Sequence, residues 1–176
     1  VDNRPYGHTQ FVIDKNLYPE DHPYNWQVIG SLEDLQAATV DDVATFFRRW
    51  YVPNNVTLVI AGDFDTEQAK AWVQKYFDEI PKGEEITPLE KRSGEVAETV
   101  KLYHEDNYAR LPELTYVWPA VELYHPDSYA IDVLANYLTR GKSAPFYQVL
   151  VEEKQLTSNV SAFNYSSELA GQIQFR

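Results

Sequence analysis

No cysteine occurs in the 176 residues. Disulfides, thiolate zinc sites and cysteine nucleophiles are therefore excluded. Methionine is missing as well. Positive charge is scarce, with 15 Lys and Arg against 27 Asp and Glu and a net charge of −12. That balance repels phosphate backbones and no Lys/Arg cluster offsets it locally, so nucleic acid is not an expected partner. No apolar run approaches the roughly 20 residues that cross a bilayer as a helix. The start, Val1-Asp2-Asn3-Arg4-Pro5, lacks the basic-then-apolar order of a signal peptide. The chain is expected to begin inside a longer protein.

Catalytic signatures are equally sparse. Neither H-E-x-x-H nor the reversed H-x-x-E-H occurs, and there is no G-x-S-x-G elbow or phosphate-binding glycine loop. The four histidines are His8, His22, His104 and His125, and no two are spaced to share a helix face. His22 and His125 each precede a proline, which predicts turn or helix-start residues. His104, beside Glu105, Asp106 and Asn107, is predicted to lie in a solvated loop. A metal site from these four requires the fold to gather them. The acidic pairs Asp41-Asp42, Glu84-Glu85 and Glu152-Glu153 fit solvated faces and helix starts. No catalytic, cofactor-binding or metal-ligating residue is assigned.

What is present is a soluble-type mixture, 44% hydrophobic and 24% charged. Thr39-Val-Asp-Asp42 predicts a capped helix carrying Val43, Phe47 and Trp50 on one face and ending before Pro53. Val56 to Ala61 is a β-branched run that predicts a buried strand, ended by Gly62-Asp63. A second helix, capped at Asp65 or Thr66, presents Ala69, Trp72, Val73, Tyr76 and Phe77. Residues 81–95, with Pro81, Gly83, Pro88 and Gly94, suit a linker.

Beyond the linker, Val96 to His104 and Leu114 to Val121 predict strands. Pro126 opens a helix through Leu138, stopped by Gly141, and a further helix runs from about Ser143 to Glu153. Two more strands follow, Ser158 to Asn164 and Gln172 to Arg176. The last run ends without a turn or polar tail, so truncation is expected. Helices and strands in blocks predict an α+β fold with antiparallel sheets backed by helices. The helical aromatics Trp50, Trp72, Tyr76 and Phe77 are expected to pack. For Tyr103, Tyr108, Tyr116 and Trp118, packing is favoured over a peptide-binding surface.

Several phrases together resemble one family. They include Pro5-Tyr6-Gly7, Leu17-Tyr18-Pro19, His22-Pro23-Tyr24 and Val28-Ile29-Gly30-Ser31. Trp50-Tyr51-Val52-Pro53-Asn54-Asn55 followed by Leu58-Val59-Ile60-Ala61-Gly62-Asp63 is the most specific pairing, and Lys75 to Pro81 and Phe146 to Leu156 extend it. The chain resembles the pitrilysin/insulinase group of zinc metallopeptidases, which includes mitochondrial processing peptidase-like proteins. The resemblance implies a half-unit of two similar α+β subdomains. Residues 1–80 would be the C-terminal part of the first, 81–95 the linker and 96–176 the N-terminal part of the second.

By the same resemblance, zinc belongs to the parent protein, held by an H-x-x-E-H motif before Val1, and this fragment binds none. Peptides would be hydrolysed in a chamber formed with a complementary half-unit, in the same chain or a partner subunit. In complete enzymes the second half-unit supplies an Arg and a Tyr that hold substrate; the matching positions here are Val151 and Ser158. That departure fits a first half-unit. A non-catalytic partner or scaffold half of the same family is the alternative, with an unrelated α+β binding protein a third. Bacterial relatives imply an exported or periplasmic protein.

Overall fold

The computed structural model describes residues 3–176. In chain order the elements are α1 (Thr9–Leu17), a 3₁₀ turn (Pro23–Asn25), α2 (Leu32–Ala37), α3 (Val40–Trp50) and α4 (Thr66–Phe77). Then follow β1 (Tyr116–Ala120), α5 (Pro126–Thr139), a π-helix (Tyr147–Glu153), β2 (Ala162–Ser166) and β3 (Gly171–Phe175). They form two compact units. One comprises Gly30–Pro88; the other joins the residues up to Ile29 with Leu89–Arg176.

In the larger unit, β3 is the centre of a three-stranded antiparallel sheet of order β1-β3-β2. Register places Trp118, Ile173 and Asn164 side by side, and Tyr116, Phe175 and Ala162 beside them on the same face. Phe175 meets Trp118 edge-on at 5.6 Å and Phe146 at the same separation. The alternate residues Gln172 and Gln174 form the opposite face and are 7% and 6% exposed. A glutamine buried in a central strand needs partners. Gln174 Nε2 donates to Gln10 Oε1 at 3.0 Å and Gln172 Nε2 to Asp14 Oδ1 at 3.4 Å, so α1 meets this face through polar side chains.

The C-terminal end of α1 is apolar. Leu17 and Tyr18 pack with Ala170, and Ile13, Tyr24 and Val117 surround them. Gly94 lies against Leu17, and the Glu95 N–H donates to the Leu17 carbonyl at 3.0 Å. Gly171 has no room for a side chain: a Cβ there would stand 2.1 Å from the Val121 carbonyl oxygen. Helix α5 starts as its sequence predicts, with Pro126 in the first turn and His125 as N-cap, and Gly141 just past its end takes φ +87°. The expected helix over 143–153 is wound largely as a π-helix, in which the Lys154 N–H reaches back five residues to Val149 O at 2.9 Å.

In the smaller unit the local signals are realised. Thr39 Oγ1 accepts from the Asp42 N–H and the Asp42 carboxylate accepts from the Thr39 N–H, a complete capping box. The Thr39 hydroxyl also donates to Asp42 Oδ2 at 2.6 Å, and this bond first, the Thr39 N–H second, holds the Asp42 carboxyl below its usual range. Asp65 caps α4 by accepting from the Gln68 N–H at 2.8 Å. Asn54 ties the turn after α3 to the segment after α4, accepting from the Gly83 N–H at 2.9 Å and donating to Glu84 O.

Several expectations are corrected here. Residues 56–61 and 96–104 are not strands, since no second strand pairs with them among the described residues. A strand owes its ladder to a neighbour, and composition alone cannot supply one. The packed aromatic faces are not formed either. No residue of α3 or α4 is fully buried: Trp50 is half-buried, and Phe47, Trp72, Tyr76 and Phe77 are about half exposed. Tyr103, Tyr108, Tyr116 and Trp118 are likewise exposed, so the core assignment for these four does not hold.

Candidate functional site

Histidine is the first residue type to test, because it serves both as metal ligand and as general base. The two His-Pro pairs have the same local geometry. His22 caps the 3₁₀ turn, its Nδ1 accepting from the Tyr24 N–H at 3.0 Å. His125 caps α5 in the same way, Nδ1 accepting from the Asp127 N–H at 3.2 Å. Both are helix-start residues, as the sequence predicts. Their surroundings differ. His22 is 1% exposed, stacks on Tyr18 at 4.7 Å, and stands with Nε2 2.8 Å from the Arg92 carbonyl. With one nitrogen accepting and the other donating, the ring is held as the neutral Nε2–H tautomer. Neither nitrogen is left for a metal or a proton relay.

His8 and His104 are drawn together, ring centres 5.8 Å apart. Near them Asp106 turns a loop: its carboxylate accepts from the N–H groups of Tyr6, Tyr108 and Ala109. These bonds, that of Tyr108 foremost, keep the Asp106 carboxyl below its usual range. The carboxylate is thus committed to backbone. Among the described residues no group of three or more His, Cys, Asp or Glu could hold a metal ion.

Serine nucleophiles fare no better. Ser128, buried at the start of α5, shares its hydroxyl with Ser166 at 3.2 Å and with Asn164 Nδ2 at 3.2 Å. Asn164 also donates to Asp132 Oδ1 at 3.0 Å. The cluster contains no histidine or lysine to take a proton, and its carboxylate, Asp132, accepts from Asn164, so the bonds fasten α5 to β2. Val151 is half-buried in the π-helix and Ser158 is exposed beyond it. Val151 has no polar group, and the Ser158 hydroxyl, a single donor on a short side chain, does not have the reach of an Arg or a Tyr.

Two charge features escaped the sequence. Arg92 grips Asp21 with both guanidinium ends, each at 2.9 Å, and this holds the Asp21 carboxyl below its usual range. Asp14, by contrast, is raised, because burial beneath the sheet outweighs its bonds from Gln10 and Gln172. Tyr18 beside it is pushed up to about 12, by burial first and the Asp14 charge second. Arg92 and Asp21, and likewise Asp14 and Gln172, lie far apart in sequence, which no spacing rule anticipates. The alternation Gly-Gln-Ile-Gln-Phe in β3 was the available hint of a polar inner face.

The fold is thus an α+β module with a three-stranded antiparallel sheet, without an assembled metal site among its described residues. Residues 37–176 match the sequence model of the peptidase M16 inactive domain, and the chain belongs to that peptidase family. It is 29% identical over 179 aligned residues to the zinc protease PqqE of Helicobacter pylori, covering 99% of this chain and 39% of the relative. A crystal structure of a protease from Helicobacter pylori superposes with a TM-score of 0.69 at 26% identity, over 99% of this chain and 42% of that one. The crystal structure of a peptidase M16 inactive domain from Pseudomonas fluorescens shares the fold, with a TM-score of 0.69 at 18% identity over 98% and 41% of the two chains. The chain therefore spans about two fifths of the length of these relatives.

Proposed function

We propose that these residues are the supporting part of a zinc-dependent metalloendopeptidase, contributing framework and chamber wall while the zinc-binding motif lies elsewhere in the protein. The observation that carries this is the match of residues 37–176 to the inactive domain of a peptidase family, in a sequence without H-x-x-E-H. The division into residues 1–80, a linker at 81–95 and 96–176 belongs to the same proposal, as do peptide substrates, a complementary half-unit and export from the cytoplasm. Val151, with no polar group, and Ser158, with only a short hydroxyl, are structural positions in this reading.

A second reading is favoured by the description of the matched domain as inactive. In it the whole protein is a non-catalytic partner half that shapes the chamber. One experiment separates the two. The whole protein is assayed on internally quenched peptides with and without a zinc chelator, alone and mixed with its complementary half. Chelator-sensitive cleavage by the protein alone supports the first reading. Cleavage that appears only in the mixture supports the second.

A further inference from the structure

We draw no further inference here: the strongest candidate, the apolar surface that α4 and the extended run 56–61 present around an open depression lined by Leu58, Ile60, Trp72 and Phe77, carries nothing because nothing in the structure shows what covers it.

Discussion

Replacing His22 with alanine tests whether burial, rather than the shared cap geometry, sets the value of the two His-Pro pairs. In His22→Ala the Tyr24 N–H loses its acceptor and the Arg92 carbonyl its donor. A buried polar group left unpaired costs about 1–3 kcal/mol, and the ring's departure from Tyr18 adds a cavity. Because both backbone groups are only partly screened from water, the expected loss is about 2–4 kcal/mol. His125 makes the same cap bond, but its side chain is 37% exposed and has no second partner of this kind. Its replacement by alanine removes a cap and little else, about 0.5–1 kcal/mol. Urea denaturation followed by near-ultraviolet circular dichroism, with the m-value checked for constancy, reads both. His22→Asn is the control, since a short amide can restore the Tyr24 bond without reaching Arg92, and it should fall between the wild type and His22→Ala. Nitrogen-15 shifts of His22 should identify the Nε2–H tautomer. Equal losses for the two alanine variants would refute the reasoning.

Other outcomes follow from the same geometry. The raised Asp14 carboxyl means that the folded state holds this proton more tightly than the unfolded chain does. Its contribution is therefore fully present below the ordinary aspartate value of 3.8 and lost as pH rises through the raised value. Asp14→Asn should gain in melting temperature relative to wild type between acidic and neutral pH, and a difference that stays flat across that range would count against the burial. Gly171→Ala, whose Cβ would meet the Val121 carbonyl, should cost about 3 kcal/mol or more, seen as a lowered urea midpoint, because backbone must shift on both sides. Calorimetric titration of this chain with zinc should give no stoichiometric tight site, since three convergent ligands are the usual minimum; a tight site would overturn the placement of the metal elsewhere.

Helix starts were the most legible part of the sequence, and for a local reason. Thr39 with Asp42, Asp65 with Gln68 and His125-Pro126 satisfy backbone N–H groups within three residues, so the signal and its partner lie together. Helix α1 was not foreseen. It has no side-chain cap, and the side that meets the sheet carries Gln10 and Asp14, where apolar periodicity expects leucine or valine. Residues 56–61 show the opposite failure: their composition suits a strand, yet a ladder depends on a partner strand. For the candidate site, the sequence correctly showed helix-start roles for His22 and His125. It could not show the His22–Arg92 contact, which joins residues 70 apart.

The interleaved origin of the larger unit bears on how the protein is made. Leu17 and Tyr18 find their companion Ala170 only near the far end of the chain, after the whole excursion of residues 30–88. At synthesis rates of about 5–20 residues per second, those two side chains wait on the order of ten to thirty seconds for the strand that shelters them. Throughout that interval α1 is a short helix without its sheet, too brief to persist by itself in water. Premature association with other nascent chains competes with correct closure for as long as the wait lasts. Slowing translation between Gly30 and Leu89 therefore lengthens the exposure, whereas faster passage through that stretch shortens it.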